Sequence, residues 1–216
     1  MGLQADIFWS FRSPYSYLAT RRYRALTEEY DLALNLRPVY PLAIRDPAFF
    51  ERSHPNWLRY TFTDIFRVAQ FHDIPFGPPR PDPIVQDVRT RKIADEQPYV
   101  FRLTRLGQAA ARRGKSLAFC DEVSRLIWGG AENWHEGEHL AGAAERAGVN
   151  LAELDAEAVS DAKALDIEIS VNQDALEASG HWGVPTLVFD GEPFFGQDRI
   201  DMALWRMKQN GLSFRR

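Results

Sequence analysis

The 216-residue sequence predicts an α/β fold in which a β-α-β half and a β-β-α half are separated by a long all-helical insertion. In the N-terminal part, two apolar runs lie on either side of a helical pattern. Near the C-terminus, an Asp190-Gly191 pair typical of a two-residue hairpin separates two short strand patterns. Between the two halves, residues 43–179 show no convincing strand. The sequence therefore predicts one domain formed by residues 1–42 and 180–216, with residues 43–179 as an inserted helical domain.

The N-terminal half begins with an apolar strand pattern over Ala5–Phe11. A helix is predicted to follow at once, because Ser13 is a good N-cap residue and Pro14 suits the first helical position. This helix is expected to end near Tyr30, and a second strand is predicted over Leu32–Tyr40. A strand, a helix and a strand in this order form a β-α-β unit with parallel strands.

The insertion contains a proline-rich segment, Pro75–Pro83, which must be irregular. Helices are predicted around it over Asn56–His72, Ile84–Arg113, Ala118–Trp128, Glu138–Ala147, Leu151–Ala158 and Asp161–Ala178. For the last of these, Ser160 is the expected N-cap and Gly180 the expected stop signal. Its predicted apolar face consists of Ala164, Ile167, Val171, Ala175 and Ala178.

The C-terminal half is predicted to contain strands over Pro185–Asp190 and Glu192–Phe195, which the Asp-Gly pair joins as a hairpin. An amphipathic helix pattern starts at Asp198 and closes the chain.

The composition excludes several classes of protein. Hydrophobic residues form 45% of the chain and charged residues 26%, which is typical of a globular domain and unlike a disordered or collagen-like chain. No apolar run approaches the roughly 20 residues of a membrane span, and the first residues lack a secretory signal pattern. The net charge of −4 disfavours binding to phosphate backbones. We therefore expect a cytoplasmic protein without a nucleic-acid or membrane partner.

Cysteine usage limits the chemistry, because Cys120 is the only cysteine in the sequence. The chain therefore has no intrachain disulfide, no C-x-x-C pair and no multi-cysteine metal site. Since Cys120 lies in the apolar stretch SLAFCDEV, we expect its thiol to be buried and unreactive.

Two short stretches are candidates for a functional site. Ser13 lies where the first strand meets the first helix, and the free N–H groups of a helix N-terminus stabilise an anion such as a thiolate. Taken alone, this motif favours a purely structural capping role for Ser13, because capping serines are far commoner than catalytic ones. Near the C-terminus, the Val184-Pro185 pair precedes a strand; a cis bond there would leave the backbone groups of Val184 free for a ligand, whereas a trans bond would only begin the strand.

In combination with this element order, the two stretches resemble the thioredoxin superfamily in its DsbA-type arrangement. In that group the first helix carries the reactive group and a cis-proline faces it. The usual cysteine pair would fall at Ser10 and Ser13, so disulfide exchange by the protein's own thiols is excluded.

The serine version resembles one branch, the 2-hydroxychromene-2-carboxylate isomerases and the related kappa-class glutathione transferases. The start IFWSFRSPYSYLA is similar to the strand-to-helix motif of that family, with Ser13 at the position of its catalytic serine. Tyr60-x-x-x-Asp64-x-x-Arg67 resembles its pattern on the first inserted helix, and WGVPTLVFDGEPFFGQDRIDM resembles its C-terminal signature. Two positions depart from the family pattern: Ser10 replaces a common aspartate, and Trp57 replaces a frequent lysine.

The resemblance implies glutathione as the cofactor and Ser13 as the catalytic residue that donates a hydrogen bond to its sulfur. It also implies that Val184 and Pro185 meet the cysteinyl part and that Gly196, Gln197 and Asp198 lie near the γ-glutamyl end. The implied reaction interconverts 2-hydroxychromene-2-carboxylate and an open-chain aryl pyruvate. For this aromatic carboxylate the candidate contacts are Arg12, Tyr15, Arg45 and Trp57.

Other functions remain open on the same sequence. A kappa-class-like transferase would consume glutathione, and a noncatalytic thioredoxin-like protein would bind it weakly or not at all. The family resemblance also makes a homodimer plausible. Finally, His135 to His139 match H-E-x-x-H, a zinc motif when it lies on a continuous helix, but Gly137 within it favours a loop, so we predict no metal site.

Overall fold

The computed structural model describes residues 2–87 and 89–215 as a four-stranded sheet covered by helices. The N-terminal half consists of β1 (Leu3–Trp9), α1 (Pro14–Glu29) and β2 (Leu32–Pro38), and the C-terminal half consists of β3 (Thr186–Phe189), β4 (Glu192–Phe195), a 3₁₀ turn (Gln197–Arg199) and α10 (Ile200–Gln209). The helices between them are α2 (Leu42–Arg45), α3 (Phe49–Arg52), α4 (Pro55–Phe71), α5 (Val100–Arg112), α6 (Ser116–Trp128), α7 (His139–Arg146), α8 (Leu151–Ser160) and α9 (Ala162–Ala178).

The sheet has the strand order β2-β1-β3-β4. β1 pairs with β2 in parallel and with β3 in antiparallel orientation, so that Ile7 lies opposite both Leu36 and Leu187. β3 and β4 form the antiparallel hairpin predicted from the Asp-Gly pair. The α/β fold with a helical insertion is therefore confirmed, and no helix in the described residues combines the length and the apolar character needed to cross a membrane.

The principal hydrophobic core joins the sheet to the insertion. Trp9 and Phe11 meet edge to face with ring centroids 4.7 Å apart, and Phe11 in turn contacts Phe119 of α6. The buried residues of this core extend from β1 through α1 to α6 and α8. Cys120 is part of it: its side chain is fully buried, and burial raises the pKa of its thiol well above the ordinary value. The predicted burial of this thiol is confirmed.

The predicted helix over Ile84–Arg113 is wrong in its first half, because α5 begins only at Val100. In the preceding segment the Asp87 carboxylate accepts hydrogen bonds from the backbone and hydroxyl of Thr90, and Arg91 has a positive φ of 64°. Such a turn competes with helical hydrogen bonding. Ile84 therefore lies in an irregular segment and contributes to a small separate core.

The predicted face of α9 is also wrong. Its buried side contains Leu165, Ile169, Asn172 and Leu176, whereas Ile167 and Val171 are 56% and 53% exposed. Ser160 ends the preceding helix and gives no cap to α9. The orientation is set by polar contacts with α5: Asn172 donates to Gln108, and Glu168 accepts from the same residue and from Arg112.

Candidate active site

Ser13 links the N-terminus of α1 to the Val184-Pro185 loop. Its hydroxyl oxygen lies 3.2 Å from the Ser16 amide nitrogen, whose N–H it accepts as the N-cap of α1. The same hydroxyl donates to the carbonyl oxygen of Val184, also at 3.2 Å, and the Val184–Pro185 bond is cis, as the family resemblance implies. The capping role of Ser13 is therefore confirmed, and its hydroxyl also faces the cis-proline.

The loop before Pro185 is held by its own hydrogen bonds. The Gly183 amide donates to Nδ1 of His181 at 2.8 Å, and the Thr186 hydroxyl donates to the Gly183 carbonyl at 2.7 Å. The carbonyl of Pro185 accepts from the Gly196 amide at 2.8 Å. Within the described residues, the Val184 amide has no hydrogen-bond acceptor. The Val184 amide is therefore a hydrogen-bond donor available to a ligand beside Ser13 and the cis-proline.

The turn from Gly196 to Asp198 requires glycine at its first position. Gly196 has a φ of +101°, and a Cβ atom there would lie 2.5 Å from Oδ1 of Asp198. Gln197 is buried, and its Oε1 atom has no hydrogen-bond partner among the described residues. Asp198 forms an ion pair of 2.6 Å with Arg199. The turn thus presents an unsatisfied amide oxygen next to a carboxylate.

A cavity of about 420 Å³ lies between this turn and α4. It is lined by Arg22, Arg67, Val68, Phe71, His72, Gln197, Asp198 and Asp201. Arg22 is already engaged with Asp201 at 2.7 Å, whereas Arg67 forms no salt bridge with any described residue. The cavity therefore offers the guanidinium group of Arg67 and the Oδ1 atom of Asp198, which the Arg199 ion pair does not use, and these opposite charges suit an amino-acid zwitterion.

Tyr15 connects α1 to α4, the helix that lines one side of this cavity. Its hydroxyl donates to Oδ2 of Asp64 at 2.8 Å, and Tyr60 donates to Oδ1 of the same carboxylate at 3.2 Å. Burial, followed by the Asp64 bond, raises the pKa of Tyr15 above its ordinary value. Tyr15 therefore stays protonated and ties α1 to α4 through the Tyr60-x-x-x-Asp64 pattern.

The other predicted substrate contacts have different surroundings. Arg12 donates from Nε to Asp82, and its guanidinium carbon lies 5.6 Å from the centre of the Trp128 ring, so its charge is already neutralised. Arg45 donates to two backbone carbonyls, of Tyr40 at 2.8 Å and of Trp182 at 3.0 Å. Asp82, to which the sequence analysis gives no role, is therefore the ion-pair partner of Arg12.

Trp57, a predicted substrate contact, belongs to a row of aromatic rings whose connection to the Val184-Pro185 loop sequence reasoning missed. The rings of Phe195, His181, Trp182, Phe49 and Trp57 follow one another with centroid distances of 3.9, 5.5, 5.5 and 5.5 Å. The sequence feature that could have indicated this connection is the WGVPT motif, because it places Trp182 two residues before Val184.

The H-E-x-x-H match does not form a helical zinc motif. Gly137 has a φ of +56° and α7 begins only at His139, so His135 lies in a turn before the helix. His135 packs instead against the rings of Tyr99 and Trp134. Across residues 2–87 and 89–215, no cluster of three or more His, Cys, Asp or Glu side chains is placed to hold a metal ion.

Comparison with known proteins decides the family. The sequence profile described as "DSBA-like thioredoxin domain" matches residues 4–208. The chain belongs to this DsbA-like thioredoxin domain family. The comparison with curated proteins finds no match to this DsbA-like domain.

Solved structures share the fold of this DsbA-like domain. A structure of 2-hydroxychromene-2-carboxylate isomerase is 22% identical with a TM-score of 0.72, over 96% of this chain and 95% of that chain. A probable DsbA oxidoreductase from Streptomyces coelicolor is 18% identical with a TM-score of 0.67, over 96% and 89% of the two chains. The cytosolic disulfide reductase DsbM from Pseudomonas aeruginosa with GSH is 16% identical with a TM-score of 0.59, over 96% and 100%.

Proposed function

We propose that this DsbA-like domain is a glutathione-dependent isomerase that interconverts 2-hydroxychromene-2-carboxylate and an open-chain hydroxybenzylidenepyruvate-type compound. The observation that carries this proposal is the hydroxyl of Ser13, which stands at the N-terminus of α1 and faces the cis Val184–Pro185 bond. The only thiol of the chain, on Cys120, is buried in the core. The reactive sulfur must therefore come from a small molecule, and a helix N-terminus with a hydroxyl donor suits a thiolate.

The residues around Ser13 fit glutathione. The unpartnered amide of Val184 can donate to the cysteinyl carbonyl, which is the backbone pairing that an extended peptide makes with a free strand end. The Gly196 amide ties the neighbouring turn to the Pro185 carbonyl, and in the cavity beside that turn Asp198 suits the ammonium group of the γ-glutamyl end and Arg67 suits its carboxylate. The orphaned Oε1 atom of Gln197 offers a further acceptor for that ammonium group. The glutathione-bound DsbM structure of the same fold supports this reading.

When bound, glutathione would supply a thiolate that adds to the conjugated alkene, permits rotation about the resulting single bond and leaves again, so that the cofactor is regenerated. Ser13 stabilises the anionic sulfur by donating a hydrogen bond from its hydroxyl, which requires the hydroxyl to turn away from the Val184 carbonyl. That carbonyl is then free to accept the cysteinyl N–H. The N–H groups at the start of α1 add the positive end of a 16-residue helix. Ser13 itself need not ionise.

The proposal is tested by titrating glutathione into the protein between about pH 6 and about pH 9, the range in which a thiol pKa near 8.5 is shifted by binding. We expect binding to strengthen with pH and to release a proton at neutral pH. We expect Ser13→Ala to weaken the pH dependence, and the control Asn150→Ala, which removes a cap on the distant helix α8, to leave it unchanged. The absence of binding at millimolar glutathione would overturn the cofactor assignment.

Turnover is tested with an open-chain hydroxybenzylidenepyruvate whose absorbance changes on ring closure. We expect isomerisation only with glutathione present and no net consumption of glutathione. Stoichiometric loss of the free thiol would instead identify a kappa-class-like transferase, and glutathione binding without turnover would identify a noncatalytic binding protein. Because glutathione is maintained at high concentration in the cytosol, the proposal also places the protein there.

A further inference from the structure

The aromatic row, formed by Phe195, His181, Trp182, Phe49 and Trp57, is anchored beside the catalytic serine. Trp182 is two residues from Val184, so its Cα atom lies within about 7 Å of the Cα atom of Val184, whose carbonyl meets Ser13. Trp182 and Trp57 are 48% and 43% exposed. Both indole rings of the row are thus left with free surface, and a contiguous exposed patch of aromatic rings is typical of a ligand-binding surface.

The ring of His181 acts as a neutral member of this row. It stacks on Phe195 at a centroid distance of 3.9 Å and an interplanar angle of 18°, and burial lowers the pKa of His181. Because its Nδ1 accepts from the Gly183 amide, the proton of the neutral ring is on Nε2. A neutral, fixed imidazole supports the Trp182 indole, with which it makes an angle of 18°. The part of the aromatic row formed by Phe195, His181 and Trp182 is therefore held in a fixed arrangement before any ligand binds.

Arg45 supplies an uncompensated positive charge at the same place. It is half-buried, and both of its hydrogen bonds within the described residues go to backbone carbonyls, one of which is the carbonyl of Trp182. Glu177 contributes an attractive field, yet no carboxylate oxygen of the described residues lies within 4 Å of the Arg45 side chain. Its neighbour Arg52, by contrast, is paired with Asp46 at 2.5 Å. Because a half-buried cation without a counter-ion is costly, an anion bound beside Arg45 would be stabilised.

We propose that Arg45 and the Trp182–Phe49–Trp57 part of the aromatic row form the specificity-determining subsite of the domain, which selects planar aryl carboxylates. The aromatic ring of the ligand stacks on the free indole surface of Trp182, and its carboxylate meets the guanidinium N–H groups of Arg45 that the backbone carbonyls leave unused. Arg12 is excluded from this role because Asp82 already neutralises it. The inference deepens the proposed function and rests on it for the reaction, but its binding test is independent of glutathione.

The test is isothermal titration calorimetry with trans-2-hydroxycinnamate and with its neutral amide, both without glutathione. We expect the wild-type protein to bind the carboxylate at least about tenfold more tightly than the amide. Arg45→Gln should remove this preference, whereas the control Arg52→Gln should retain it. Both ligands contain the same ring. If Arg45 only supported the structure of the Trp182 loop, Arg45→Gln would lower the affinity for both ligands equally and leave the carboxylate-to-amide affinity ratio unchanged.

The aromatic contribution is tested in the same titration. We expect Trp182→Ala to lower the affinity for both ligands about tenfold and Trp182→Phe to recover most of this loss of affinity. The control Trp205→Ala removes an equally exposed tryptophan on α10, outside the row, and should change neither affinity. Unfolding curves of all variants verify that they are folded.

Three results would overturn the inference: no binding of the carboxylate to the wild type, an unchanged carboxylate-to-amide ratio in Arg45→Gln, or wild-type affinity in Trp182→Ala. Failure of the proposed function has a different signature. If the aryl carboxylate binds with the expected dependence on Arg45 and Trp182 but glutathione does not bind, the subsite stands and the isomerase assignment fails.

Discussion

The hydroxyl oxygen of Ser13 lies 3.2 Å from the carbonyl oxygen of Val184, although the two residues are 171 positions apart in the chain. The Ser13 hydroxyl also accepts a hydrogen bond from the Ser16 N–H. One hydroxyl therefore caps the first helix and links it to the cis-proline loop. Ser13 is therefore both a stabilising residue and the proposed catalytic donor, and mutational analysis must separate these two roles.

A set of three variants separates them. We expect Ser13→Ala to lower the free energy of unfolding by about 1 kcal/mol, as loss of an N-cap does, and also to weaken the binding of glutathione at high pH. Asn150→Ala, which removes the cap that accepts from Ala152 and Glu153, should cost a similar free energy without any effect on glutathione. Denaturant unfolding and calorimetric titration measure the two properties.

The third variant, Ser13→Asp, keeps a capping oxygen but replaces the donor with an anion. We expect Ser13→Asp to keep the helix cap but to lose the hydrogen bond to the Val184 carbonyl, and its affinity for glutathione to fall more than in Ser13→Ala, because a carboxylate repels a thiolate. Wild-type affinity in Ser13→Asp would show that the hydroxyl proton has no role in binding.

Gly196→Ala is predicted to damage the turn that carries Asp198. The new Cβ atom would lie 2.5 Å from Oδ1 of Asp198 and would also be strained at a φ of +101°. The matched control is Gly191→Ala at the hairpin, where φ is +76° and no atom lies within 4 Å of the added carbon. Both variants should lose about 1 kcal/mol of stability from backbone strain, but only Gly196→Ala should lose affinity for glutathione. Equal affinities in the two variants would contradict a role for this turn.

Tyr23→Phe is predicted to be neutral or stabilising. The side chain of Tyr23 is fully buried, and its hydroxyl has no hydrogen-bond partner in the part of the chain that the structure describes. Removing an unsatisfied buried hydroxyl relieves a desolvation cost of about 1 kcal/mol or more. In the matched variant Tyr17→Phe, a hydrogen bond of 2.6 Å to the Pro75 carbonyl is lost, and stability should fall by about 1 kcal/mol. Chemical denaturation of both variants compares them, and a marked loss in Tyr23→Phe would reveal a partner for its hydroxyl.

Stability is predicted to fall as the pH decreases from about 7.5 to about 5. Burial lowers the pKa of His181, so the folded state binds a proton more weakly than the unfolded chain does. The stabilising contribution is therefore present above the ordinary histidine pKa of about 6.5 and is lost as the pH falls through the lower folded-state value. His72 acts in the same direction, because burial and then Arg22 lower its pKa.

The His181→Phe variant isolates the first contribution. Phenylalanine keeps the stacking on Phe195 and cannot take up a proton, so the midpoint of thermal unfolding should change less with pH than in the wild type. A residual dependence from His72 is expected. An unchanged pH profile in His181→Phe would show that His181 titrates alike in the folded and unfolded states.

Local patterns were sufficient for much of this protein. The Ser13 cap, the hairpin at Asp190-Gly191 and the buried thiol of Cys120 each depend on residues that are neighbours in the chain, and the structure has all three as predicted. Where local patterns conflicted with packing, packing prevailed. The apolar positions Ile167 and Val171 of α9 face outward, because polar contacts of Asn172 and Glu168 with α5 orient the helix.

The sequence by itself determined the order of the elements, the family resemblance and the absence of a redox-active cysteine pair, since all three are properties of residue types and their spacing. Only the tertiary structure decided how the two arginines are engaged: Arg12 meets Asp82, seventy positions away, whereas Arg45 donates to the backbone carbonyls of Tyr40 and Trp182 and forms no salt bridge with a described residue. It also brought Trp182 next to Phe49 and Trp57. The physical reason is that charge compensation and ring stacking depend on distances in space between residues remote in the chain, which a linear pattern does not contain.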